Sequence, residues 1–124
     1  MGEDGKSETK LQTVRSSETV ELMDVSVSQA IKFIDTALRE DLLVISKHAR
    51  KEMVKDDINE TQIRGVLKQK SIVEGPYREL NGGWKCRLEG YHSGQGIGVP
   101  VGFDCREDGT IVVVVTAFTL NNYR

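Results

Sequence analysis

The sequence predicts an α+β domain, with N-terminal helices packed on one face of a four-stranded antiparallel sheet. Two observations carry this. Apolar residues recur at spacings of three and four between Ser26 and Leu67, the period of a helix with one buried face. From Ser71 onward the period changes to two, that of a half-buried strand, and Gly-Pro and Asp-Gly pairs punctuate the segments. Helices followed by a run of short strands form a two-layer α+β architecture, and 124 residues suffice for one such core.

Residues 1–20 hold few apolar side chains and no periodicity, so they read as a flexible arm, leaving 21–124 as the single domain. Ser26 or Ser28 caps the first helix, whose stripe is Ala30, Ile31, Ile34, Ala37, Leu38 and Leu42 and which ends near Asp41. Leu42 to Ile45 reads as an apolar connector. Ser46 caps a second helix, with Lys47, His48 and Ala49 in its first turn and Ile45, Ala49 and Met53 on its apolar edge. Asn59 caps a third helix, with Gln62 completing a capping box and Ile63, Val66 and Leu67 buried.

Four strands follow. Ser71 to Tyr77 is stopped by Gly75-Pro76. Gly83 to Tyr91 sets Trp84, Cys86 and Leu88 on one face and Lys85, Arg87 and Glu89 on the other. Ile97 to Cys105 contains Pro100, which suggests an edge or a bulge. Glu107 to Thr110 is a tight turn into the apolar strand Ile111 to Thr119, expected at the sheet centre.

Composition narrows the function. The longest apolar run, Ile111 to Phe118, falls far short of the roughly 20 residues that span a bilayer. The acidic, polar N-terminus is unlike a secretory signal, and Lys6 stands where an acylation motif needs Ser or Thr, so a cytoplasmic protein is expected. The net charge of −2 conceals a basic centre: residues 46–106 carry 11 basic and 8 acidic side chains, a balance that can meet a polyanion. Cys86 and Cys105 have no partners at zinc-ligand spacing and read as buried free thiols. Pairing across a turn centred on Gly94 would set Cys86 opposite Gly102 and turn Cys105 to the other face. No cofactor or metal motif is present. The glycines of Gly90 to Gly98 lack the Lys and the following helix of a phosphate loop, so they read as a hairpin connection exposing His92.

The candidate site residues are His48, Lys85, Arg87 and Thr116. A neutral imidazole in the first turn of a helix can accept a proton, as a general base must; the alternative is one structural hydrogen bond from helix to sheet. Lys85 and Arg87 share a strand face whose reverse is apolar, so both project from the open side of the sheet. There they can clamp a phosphate or form an ordinary solvated face. Thr116, Tyr77 and Tyr91 supply hydroxyls.

The stretch from Ser46 to Tyr77, which opens "SKHARKEM", and the ending "GTIVVVVTAF" (Gly109 to Phe118) resemble a small bacterial and archaeal domain family. Its pattern is Ser-x-His-Ala, a helix with Met, an Ile opening the next helix, and strands closing in Val-Val-Thr-Ala-Tyr. Ser46, His48 and Ala49 match the opening motif; Thr116 and Ala117 match the closing one. The family carries a domain-of-unknown-function label, and its members are often encoded beside MqsA-like zinc-finger antitoxins. The resemblance therefore implies a RelE/ParE/MqsR-type toxin fold, a metal-independent mRNA endoribonuclease, and a cognate antitoxin of zinc-finger or helix-turn-helix type as partner. A non-catalytic protein-binding module on the same fold is the alternative. Two positions depart from the pattern: Glu52 stands where the family often has Arg, and Phe118 replaces the usual Tyr. The pI of 5.7 is acidic for a ribosome-dependent ribonuclease.

Overall fold

The computed structural model describes residues 25–80, 82–106 and 109–120; the expected arm and Glu107-Asp108 of the expected turn lie outside them. The order is α1 (Val27–Glu40), β1 (Leu43–Ile45), α2 (Lys47–Lys55), α3 (Glu60–Gln69), β2 (Ile72–Arg78), β3 (Trp84–His92), β4 (Gln95–Arg106), β5 (Gly109–Val114) and β6 (Phe118–Thr119). The strands form one mixed sheet, β1-β5-β4-β3-β2, with β6 also on β4. The architecture is α+β, but the expected four-stranded antiparallel sheet is corrected in two places. The Leu42 to Ile45 connector contributes β1, which pairs parallel to β5 with Leu43 opposite Val112. The strand expected over Ile111 to Thr119 breaks into β5 and β6. A three-residue strand is too short to display a period, and its partner lies far along the chain, where no local turn announces it.

The caps match their chemistry. Ser26 Oγ accepts from Gln29 N (3.1 Å), and α1 ends at Asp41 in the left-handed region (φ 59°). Asn59 and Gln62 form a reciprocal capping box on α3, at 2.8 and 3.0 Å. Ala30, Ile34 and Ala37 of α1 and Ile63, Val66 and Leu67 of α3 are fully buried with Leu88, Val99, Val101, Val112 and Val114 of the sheet. All the core therefore lies on one side of the sheet.

The β3–β4 hairpin closes on Ser93 and Gly94, both at positive φ (52° and 79°), the two-residue turn whose twist suits a hairpin. This register is one residue tighter than expected. Cys86 faces Val101 rather than Gly102, and Cys105 stays on the core side, packed against buried residues. A one-residue slip exchanges faces, which is why the expected orientation of Cys105 reverses. Both thiols are free. Burial pushes the Cys86 thiol up from 9.0 to about 12. Cys86 is therefore expected to resist a thiol reagent in the native protein near pH ~8 and to react on unfolding, as mass spectrometry would show. A raised folded-state value gives stability that is complete below pH 9.0 and lost as pH rises through about 12.

The hairpin tip is docked onto α3. Gln69 donates to Tyr91 O (2.8 Å) and accepts from Tyr91 N (3.2 Å), while Gln62 donates to Gln95 Oε1 (2.9 Å). His92, expected to be exposed, is half-buried, its ring lying where a Cβ on Gly65 would stand 2.2 Å from Cδ2.

Candidate functional site

The open side of the sheet is built around β4. Ile97, Val99, Val101 and Phe103 point into the core, so alternation sends Gly96, Gly98, Pro100 and Gly102 to the other face. Side chains that small leave a trough between the taller residues of β3 and β5. β4 is a central strand, so Pro100 is not at an edge. It sits beside a bulge. Val101 pairs with Val114 and Gly98 with Phe118, so three steps along β4 face four along its partner. Pro100 O accepts from Val115 N (3.0 Å), and a strand residue directs its N and C=O to the same neighbour. The N–H that Pro100 lacks therefore falls at the break, where a ladder bond is already interrupted.

The extra residue re-aims the side chains beyond it. Val115 stays on the open face, 3.8 Å from a Cβ placed on Gly102, and Thr116 lines the open-face cavity instead of turning inward. Ala117 enters the core at 1% exposure, and the Phe118 ring closes over Gly98, where a Cβ would lie 2.5 Å from it.

Three of the four candidate residues meet here. Lys85, Arg87 and Thr116 line one cavity of about 200 Å³ with Glu74, Tyr77, Pro100 and Phe118. Glu74 and Tyr77 come from β2, directly opposite Arg87 and Lys85. Arg87 Nη1 lies 3.3 Å from Glu74 Oε1, and its Nε lies 3.5 Å from Glu89 Oε2. That Nε is screened from solvent, yet its proton has no acceptor in hydrogen-bond geometry, so the contact with Glu89 is ionic only. Lys85 is half-buried and forms no ion pair with a described residue. It also lines a second depression of about 260 Å³ with Glu79, Gly102, Asp104, Val113 and Val115.

His48 does not line either depression. It is exposed on α2 beside Lys47 and Lys51. The fastening of helix to sheet is done by Ser46: its N donates to Val114 O (3.1 Å), and its Oγ donates to Val115 O and accepts from Ala49 N (both 3.0 Å). Ala49 is fully buried beneath. At the far end of α2, Asp56 Oδ2 accepts from Thr119 N (2.9 Å). The opening and closing motifs of the sequence are thus in contact through Ser46 and Val115. Ser46→Ala is expected to lower stability by about 0.5–2 kcal/mol, the range for a lost cap, in a denaturant titration; His48→Ala should leave it unchanged.

Sequence reasoning missed Glu74 and the trough. Glu74 lay in a strand whose bulges hide its period. The trough was legible as a small residue at every second position, alternating with Ile, Val, Val and Phe.

A family model described as a domain of unknown function (DUF4258) matches residues 45–119. No curated protein and no solved structure matches the chain. The matched segment covers α2, α3 and strands β2 to β6, hence the Ser46–Val115 junction and both depressions. The chain belongs to the DUF4258 family.

Proposed function

We propose that this protein is a metal-independent endoribonuclease, the toxin half of a type II toxin–antitoxin pair, acting on mRNA in the cytoplasm. The observation that supports this is the convergence of Glu74, Tyr77, Lys85, Arg87 and Thr116 on one open-face cavity. Such a set can cleave a phosphodiester with protein groups alone. The ribose 2′-hydroxyl attacks the adjacent phosphorus, its proton passes to the Glu74 carboxylate, and Arg87 holds that carboxylate in place. The bond from phosphorus to the 5′-oxygen breaks, and the Tyr77 hydroxyl protonates the departing oxygen. A 2′,3′-cyclic phosphate and a 5′-hydroxyl result. Lys85 and the Thr116 hydroxyl line the same cavity and can face the charge that develops on the phosphoryl oxygens. His48 stands outside the cavity and is assigned no proton transfer.

One observation favours the non-catalytic alternative. Glu74 and Glu89 bracket Arg87, so the cavity is close to electroneutral and suits a protein partner as well as RNA. In either reading the cognate antitoxin, a zinc-finger or helix-turn-helix protein, would cover the open face. Among the described residues, no helix is long and apolar enough to cross a membrane.

The test is induced expression with and without the neighbouring gene product, with RNA ends mapped. Growth arrest that the neighbour relieves, with new cyclic-phosphate ends, supports the enzyme. Harmless expression with intact RNA, and capture of the neighbour by the wild type, supports the binding module. In a cleavage assay Glu74→Gln is expected to be slower by about 10²–10⁴-fold, the usual contribution of a general base.

A further inference from the structure

The depression on the far side of Lys85 from the catalytic cavity has a floor that the fold does not require. Gly98 must be glycine because Phe118 occupies the space of its Cβ. Gly102 is under no such demand. A Cβ there would meet only Trp84 O at 3.7 Å and Val115 Cγ2 at 3.8 Å, both ordinary contacts. Yet a glycine stands there, in the middle of a central strand, where it weakens the strand and opens the sheet backbone to close approach. The space so opened is the 260 Å³ depression. Its walls are half-buried Val113 and Val115 on one side and Lys85 on the other, with Asp104 and Glu79 at its rim. Nε and Nη2 of Arg106 both donate to Oδ2 of Asp104, at 2.9 and 2.7 Å, which leaves Oδ1 as the oxygen turned to a ligand.

From this we infer that the depression is a nucleobase subsite, selecting guanine at the nucleotide whose phosphate Lys85 holds; this rests on the proposed RNA-cleaving function. A flat ring can lie on the backbone at Gly102 between the two valines on one side and the Lys85 stem on the other. Lys85 lines both depressions, so one ammonium group reaches a phosphate whichever side the base lies on. A carboxylate at the rim accepts hydrogen bonds and offers none. With Oδ2 held by Arg106, the remaining oxygen favours a base edge that converges donors on it, and guanine presents N1–H and the N2 amino group side by side. Uracil offers one donor flanked by acceptors, which a carboxylate repels.

The test uses the full chain and the four nucleoside 3′-monophosphates in titration calorimetry, beside an RNA cleavage assay. The guanosine nucleotide should bind about tenfold or more tighter than the uridine one, the discrimination expected of a hydrogen bond to a charged oxygen. Asp104→Asn should abolish that preference while phosphate-dependent binding persists. Gly102→Val, which fills the floor and suits a strand, should remove nucleotide binding with the melting temperature kept. Equal affinities for all four, or a guanosine preference that survives Asp104→Asn, would overturn the subsite. Base-selective binding without RNA cleavage keeps the subsite and removes the enzyme; cleavage indifferent to Asp104→Asn does the reverse.

Discussion

Lys85→Ala is expected to slow RNA cleavage by about 10²–10³-fold, the loss that accompanies removal of one preorganised group facing developing charge. The reason lies in what surrounds the ammonium. Arg87 spends much of its charge on Glu74 and Glu89, whereas Lys85 has no carboxylate partner among the described residues and lines both depressions. It is therefore the cation whose field reaches a bound phosphate with least cancellation. Because its side chain lies on the open face, its removal leaves the core untouched, and the melting temperature should stay at the wild-type value. Single-turnover rates beside a thermal melt separate the two effects. Lys85→Arg should recover part of the rate, since the charge returns with a different shape.

The second large effect is on stability. Leu88→Ala should destabilise the domain by about 2–5 kcal/mol, a large share of the roughly 5–15 kcal/mol that holds such a domain together. Leu88 is fully buried in β3, the strand that pairs with both β2 and β4 and meets α3. A cavity there loosens the layer that holds Lys85 and Arg87 at fixed separation, so loss of activity would accompany loss of fold. A urea titration reads the change directly. A midpoint shift below that of Ser46→Ala would show that the β3–α3 contact is not where the core is densest.

Much of the fold was legible in the sequence where the physics is local. Ser26, Ser46 and Asn59 each announced a helix, because capping is decided by one side chain and the next three amides. The alternation in β3 placed Lys85 and Arg87 on the open face correctly. What failed depended on distant pairing. β1 needs β5, far along the chain, to become a strand. The hairpin register is one residue tighter than the glycine pattern implies, and the face of Cys105 follows it. Thr116 is legible as a hydroxyl within the closing motif, yet its place on the open face is the work of the bulge beside Pro100. The helix that carries His48 was read correctly, but its distance from the cavity is a matter of packing that no local pattern encodes.

The most direct measurement is cleavage of end-labelled RNA by the purified chain in a metal chelator, with Lys85→Ala and His48→Ala in parallel. Expected are products ending in 2′,3′-cyclic phosphate from the wild type and from His48→Ala at equal rates, and the same products about 10²–10³-fold more slowly from Lys85→Ala. Cleavage by Lys85→Ala at the wild-type rate, or its loss in His48→Ala alone, would contradict an active site on the open face of the sheet.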